Sequence, residues 1–251
     1  MKITRILFVF AWILMLVVLL FNPLMSGFGD FLAKGSAQQT IVRYPSQLME
    51  NFTKRRMHYI PYTQIPVCAK EGIVSVEDRR FYQNEGIDLR AILRVLLLSF
   101  TNDHIDHGGS TLTQQLARHI IDEPRSAPNI FVGAISLLRV FHYTLIVNHD
   151  FSKKKIIELY LNSVYFGKDA NGIAQAAQAY FHKDIHNLTL GQCIYLTGLP
   201  QAPSIFGNNP GGQAAMGRYR HVLATMVRNQ YLSRAYAREL SEENLFVNGM
   251  K

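Results

Sequence analysis

Two stretches of this 251-residue chain gather side chains able to hold a sugar beside a carboxylate. The first is Glu77-Asp78-Arg79-Arg80-Phe81-Tyr82-Gln83-Asn84-Glu85-Gly86-Ile87-Asp88. The second is Gly108-Gly109-Ser110-Thr111-Leu112-Thr113-Gln114-Gln115-Leu116-Ala117-Arg118. Glu77 follows the apolar run Gly72-Ile73-Val74-Ser75-Val76 and is the leading proton acceptor. The plainer reading makes it a helix-surface carboxylate paired with Arg80 at i+3 or with the neighbouring arginine. Thr111-x-x-Gln114 has the pattern of a capping box after two flexible glycines. On the helix it would open, Thr111, Gln114 and Arg118 share one face with Gln115 beside them. Such a face offers hydrogen bonds to hydroxyls, while a helix N-terminus and an arginine attract phosphate.

A third string, from Lys153-Lys154-Lys155 through Glu158, Asn162 and Tyr165 to Gly167, starts after the candidate N-cap Ser152. Glu158, Asn162 and Tyr165 form its polar side, and Gly167 suits a C-terminal position. Leu199-Pro200-Gln201-Ala202-Pro203-Ser204 follows later. These four strings, in this order, resemble the peptidoglycan glycosyltransferases, the transglycosylase domain of penicillin-binding proteins. The resemblance runs from about Cys68 to Asn244. It implies a mainly α, lysozyme-like domain with a membrane-dipping lobe that polymerises lipid II onto a growing lipid-linked glycan. Glu77 would be the general base, taking the proton of the attacking hydroxyl, while positive charge receives the departing diphosphate. Asp78, Phe81, Ser110, Thr111, Gln114, Gln115, Arg118, Glu158, Asn162 and Tyr165 are the expected substrate-binding residues. No tightly bound cofactor is implied, but a divalent ion, Mg or Mn, assists relatives at the donor pyrophosphate. Other cell-wall synthesis proteins are the expected partners, and the chain as it stands looks like a monofunctional form.

The resemblance breaks at one motif. The family pattern Arg-Lys-x-x-Glu falls here on Ser136, Leu137, Leu138, Arg139 and Val140, so the second glutamate and the basic pair are replaced. Asn84-Glu85 stands where relatives carry His before the glycine. The segment between Gln115 and Phe151 is longer than usual and contains Asp122-Glu123-Pro124-Arg125, which reads as a solvated turn; its alternative role is a substitute carboxylate and cation. A non-catalytic relative that binds lipid-linked glycan or scaffolds wall synthesis is the competing reading. A lysozyme-like hydrolase is a third, disfavoured by the apolar N-terminal segment and the second string.

The elements that must position these residues follow from hydropathy. Ile6 to Phe21 is an unbroken apolar run behind Lys2 and Arg5, which fits an uncleaved anchor over residues 1–25 with its N-terminus in the cytoplasm and the main domain outside the inner membrane. Residues 26–66 read as a stalk in which Pro45, Pro61 and Pro66 break any long helix. Residues 67–245 read as the glycosyltransferase domain and 246–251 as a tail. Helical spacing predicts helices over Leu89–Phe100, Thr111–Ile121, Ile130–Asn148, Lys153–Tyr165, Ala174–Tyr180, Leu190–Leu199 and Met216–Gln230. Arg139 and His142 interrupt the centre of Ile130–Val147, which argues for a buried or membrane-grazing helix rather than a second span. The net charge of +8 would suggest nucleic acid in a cytoplasmic protein; for an exported domain it suits anionic membrane lipids instead, and no nucleic acid is expected. Cys68 and Cys193 read equally as a disulfide or as separate core thiols. His182 and His186 have metal-ligand spacing with no third ligand in sight, so no metal site is expected.

Overall fold

The computed structural model describes residues 37–54, 58–94, 109–123 and 130–246. The expected anchor at residues 1–25 lies outside the described residues, as does all of the expected tail beyond residue 246. Among the described residues no helix is long and apolar enough to cross a membrane.

The described chain is mainly helical. Its α-helices are α1 (Ala37–Lys54), α2 (Val67–Glu77), α3 (Leu112–Ile120), α4 (Ile130–Asp150), α5 (Lys153–Ser163), α6 (Ile173–Phe181), α7 (Leu190–Gly198), α8 (Pro203–Asn208), α9 (Gln213–Arg228) and α10 (Arg234–Glu242). Short 3-10 turns occupy Ile185–Asn187 and Leu199–Gln201. The helix expected over Leu89–Phe100 is described only at residues 89–94.

Helix α1 corrects the reading of the lead-in. Pro45 sits inside it, yet the helix runs 18 residues. Proline forfeits one backbone hydrogen bond and crowds the preceding turn, at about 3 kcal/mol. Ile41, Leu48 and Phe52 lie on one buried face, packed toward α3 and α4. Burial of three such side chains, at about 1.5–3 kcal/mol each, exceeds that cost. Ile60 and Ile65 are also buried, so the described part of the lead-in helps build the core instead of standing off from it.

The core lies where α2, α7 and α9 pack together and continues through α5 and α6. Cys68 on α2 and Cys193 on α7 form a disulfide, with Cα atoms 6.2 Å apart. Helix α3 starts where the sequence indicates: Thr111 Oγ1 accepts the Gln114 N–H, and the Gln114 side chain accepts the Thr111 N–H at 2.8 Å. Ser152 caps α5 by the first of these two bonds alone, its Oγ accepting the Lys155 N–H at 3.2 Å. Helix α5 ends at Ser163, earlier than expected, and Gly167 lies beyond it at φ +89°, where a Cβ would approach the Pro203 carbonyl to 2.5 Å.

Candidate active site

A cavity of about 630 Å³ opens where α2, α3, α5 and the Pro200–Pro203 turn meet α9. Glu77, the last residue of α2, lies on its wall, with its side chain only 11% exposed. The Arg218 guanidinium donates to Glu77 Oε1 at 2.7 Å, and Gln115 Nε2 donates to Oε2 at 3.0 Å. Tyr160 Oη in turn donates to Gln115 Oε1 at 3.0 Å. The result is a directed chain, from the Tyr160 hydroxyl through the Gln115 amide to the Glu77 carboxylate, that fixes which way the amide points.

Arg218 is held as firmly as the carboxylate. Its Nε donates to the Gly198 carbonyl at 3.0 Å, and its side chain is 8% exposed. A Cβ on Gly198 would come within 3.0 Å of Arg218 Cγ, so the absence of a side chain there lets the arginine stem cross the end of α7. Burial pushes the guanidinium's pKa down, with Glu77 and Tyr160 opposing it. Arginine nonetheless remains charged, since its unperturbed pKa exceeds 12. The partner of Glu77 is therefore Arg218, from a helix 141 residues away in sequence, and not Arg80. Arg80 pairs with Asp88.

The expected substrate residues separate into two groups. Ser110, Gln115, Arg118 and Tyr165 line the cavity with Glu77. Asp78, Phe81, Thr111, Gln114, Glu158 and Asn162 do not line it. Asp78 is buried and accepts from Asn84 Nδ2, at 3.0 and 3.1 Å to its two oxygens, and from the Leu112 N–H at 3.2 Å, which ties the loop after α2 to the start of α3. Burial raises its pKa; Asn84, the Leu112 amide and Lys153 partly offset that rise. Phe81 is fully buried, with the Lys153 ammonium 4.8 Å from its ring centre. Thr111 and Gln114 spend their side chains on the capping box, and Thr111 Oγ1 also donates to the Gly86 carbonyl at 2.6 Å.

Glu158 and Asn162 face the lead-in segment. Glu158 accepts from Tyr59 Oη at 2.6 Å, from the Tyr62 N–H at 2.7 Å and from Lys155. Burial alone would raise its pKa, but these donors outweigh that and hold it below the usual carboxylate range. Asn162 accepts the Ile60 N–H at 2.9 Å and donates to the Ile60 carbonyl at 2.8 Å, pairing with one backbone residue as a strand neighbour would. Asn84, where the resemblance expects His, braces the same loop. Its amide nitrogen serves Asp78, and its Oδ1 accepts the Gly86 N–H at 3.0 Å.

Two groups on the cavity differ from the sequence reading, which missed Arg218 and favoured a solvated turn for Glu123. Arg218 does carry a signal, since it stands at helical spacing between buried Ala215 and Val222, inside an apolar stripe. Glu123 corrects the solvated-turn reading. Asp122 is exposed, but the Glu123 side chain is 8% exposed, lines the cavity and pairs with Arg139 at 2.7 Å. Val140 is buried and does not line the cavity. Among the described residues no three His, Cys, Asp or Glu side chains converge as metal ligands.

The site is thus a carboxylate clamped by an arginine and an amide at the wall of an open cavity in a helical domain. The transglycosylase family matches residues 45–227, and the chain belongs to that family. It is 31% identical over 206 residues to penicillin-binding protein 1A of Rickettsia felis, covering 79% of this chain and 25% of that protein. It is 29% identical over 195 residues to penicillin-binding protein 1A of Neisseria lactamica, covering 77% of this chain and 24% of that protein. The chain thus spans about a quarter of the length of the curated relatives it matches. A crystal structure of penicillin-binding protein 1A from Haemophilus influenzae aligns over 39% of this chain and 15% of that one, at 33% identity and a TM-score of 0.37.

Proposed function

We propose that this protein is a peptidoglycan glycosyltransferase that polymerises lipid II into glycan strands, with Glu77 as the general base. The observation that carries this reading is the Glu77 carboxylate at the cavity wall, fixed by Arg218 and Gln115 in a chain of the transglycosylase family. Each carboxylate oxygen already accepts one hydrogen bond and retains a lone pair for the proton of an attacking hydroxyl. In the proposed step that proton moves to Glu77, a bond forms from the acceptor oxygen to the donor anomeric carbon, and the diphosphate leaves with the bonding electrons. Arg118 and Arg218 supply positive charge on the same cavity. Ser110, Gln115 and Tyr165 are the proposed sugar contacts. Asp78, Thr111, Gln114, Glu158 and Asn162 act through the backbone they hold, and Phe81 through its packing in the core. Donor residues for a resident cation do not converge among the described residues, so a divalent ion enters this reading only with the substrate's diphosphate, and no step runs through it.

A lysozyme-like domain with a membrane-dipping lobe belongs to the same proposal. Leu89 and Leu93 on one segment and Val132, Ile135 and Leu137 on α4 are exposed apolar side chains suited to a lipid surface. The Cys68–Cys193 disulfide supports an extracytoplasmic domain, because such bonds persist in oxidising compartments. With the apolar run Ile6–Phe21 as anchor, the protein would sit at the bacterial inner membrane with lipid II, the growing chain, membrane lipids and other wall-synthesis proteins as partners.

The second reading, a non-catalytic relative that binds lipid-linked glycan, rests on buried Val140 at the position where the resemblance expects a carboxylate. Lipid II polymerisation by the purified full chain decides between the two. Glu77→Gln is expected to lower the rate about 10²- to 10⁴-fold with the fold retained. Lipid II binding without polymer by the wild type would establish the second reading.

A further inference from the structure

The cavity holds a second buried carboxylate whose placement the proposed proton transfer does not use. Glu123 is fixed at three levels. Its backbone N–H donates to the Arg118 carbonyl at 3.0 Å while the Asp122 N–H donates to the His119 carbonyl at 3.2 Å, the paired bonds of a Schellman ending to α3. Asp122 supplies the left-handed residue of that ending at φ +49°, a position normally given to glycine. The Glu123 side chain, 8% exposed, is then clamped by Arg139 of α4 at 2.7 Å. A buried carboxylate costs free energy unless paired, and a solvated turn would have needed neither the burial nor the clamp.

The chemistry of the donor suits such a group. Breaking the bond from an anomeric carbon to diphosphate builds oxocarbenium-like positive charge on the sugar. Glu77 loses its negative charge as it takes the acceptor proton, so it cannot hold that cation throughout the step. Glu123 stands on the same cavity and has no proton to gain in the proposed reaction. We propose, on the footing of the glycosyltransferase reading, that Glu123 is the second substrate-facing carboxylate of this site, stabilising positive charge on the donor sugar, and that Arg139 is its positioning residue. The atoms balance as in the proposed step: Glu123 remains ionised from start to finish, and neither forms nor breaks a bond.

The test measures kcat and KM for lipid II polymerisation by the membrane-reconstituted full chain. Glu123→Gln is expected to lower kcat about 10²-fold, the scale of losing one preorganised electrostatic group, with KM changed less than about threefold. Arg139→Met is expected to lower kcat similarly, Arg139→Lys to restore most of it, and Arg139→Met to cost nothing further in the Glu123→Gln background. A merely structural Arg139 would instead give losses that add. Should a single variant unfold, the double variant Glu123→Gln/Arg139→Met leaves no unpaired buried charge and carries the kcat measurement. Wild-type turnover with unchanged kcat in folded Glu123→Gln or in the double variant overturns this proposal alone. A wild type that makes no polymer overturns the glycosyltransferase reading, and this inference with it.

Discussion

Removing either half of the Glu77–Arg218 pair should cost nearly as much stability as removing both. The two side chains are 11% and 8% exposed and meet at 2.7 Å, so each shields the other's charge from an interior that water scarcely reaches. Breaking such a pair strands one buried charge, which costs about 3–5 kcal/mol in fully buried cases. Residual exposure places Glu77→Gln and Arg218→Met near the lower end, about 3 kcal/mol each. In Glu77→Gln the amide oxygen can still accept from Arg218, but its new N–H₂ confronts Gln115 Nε2, a donor already, so the chain from Tyr160 must reverse or break. The double variant strands no charge but loses the packing and hydrogen bonds of both groups, and should also lie about 3 kcal/mol below wild type; the coupling energy is then near 3 kcal/mol, at the upper end of what contacting residues show. Urea unfolding followed by far-UV circular dichroism reads these differences. Thermal midpoints should fall by about 6–12 °C for each single variant in a domain of this size. If the two single losses instead sum in the double variant, or if each stays within about 0.5 kcal/mol, the pair does not hold α9 against the site as described.

Three further outcomes follow from contacts elsewhere. Glu158 has its pKa lowered by Lys155, Tyr59 and the Tyr62 N–H against the pull of burial, so its stabilising contribution is complete above the unfolded value near 4.5 and is lost as pH falls through the lower folded value; unfolding free energies measured from pH 6 to 3 should drop in wild type and drop less steeply in Glu158→Gln. Gly198→Ala should push Arg218 Cγ from its place and lower polymerisation about tenfold or more while KM changes little, whereas an unchanged rate would show that the arginine stem relaxes without moving its guanidinium. Asp122→Gly should raise stability by up to about 1 kcal/mol in chemical denaturation, because glycine adopts φ +49° without a Cβ penalty; a loss would mean that the Asp122 side chain matters more than its backbone.

What the sequence disclosed and what it hid follow one physical division. Local rules carried α3 and α5, because Thr111 with Gln114 and Ser152 with the Lys155 N–H satisfy helix ends within one turn. Helix α1 was hidden because Pro45 speaks against it locally, and only the burial of Ile41, Leu48 and Phe52 against distant helices overrides that signal. At the site, Glu77, Gln115 and Arg118 were legible from their strings, but Arg218 was not, since its meeting with Glu77 is set by how α9 docks on α2. Spacing also placed Gln114 and Thr111 on the same face as Arg118, yet their side chains turn back to the helix start, as the capping-box pattern and not the periodicity indicates. The two cysteines left a disulfide and separate core thiols equally open, and Glu123 looked like part of a wet turn until α4 brought Arg139 over it.

The disulfide also divides the cavity by its biosynthetic history. Cys68 and Cys193 enclose a covalent ring with a sequence separation of 125, and Glu77, Ser110, Gln115, Arg118, Glu123, Tyr160 and Tyr165 all lie within it, whereas Arg218 lies outside. During vectorial synthesis the ring cannot close until residue 193 has emerged and met an oxidant, and by then every carboxylate of the cavity has already been delivered. Arg218 is synthesised after both cysteines, on a segment joined to the ring only through the backbone beyond Cys193. A chain interrupted between residues 193 and 218 would hold both cysteines of the ring but no arginine to latch Glu77.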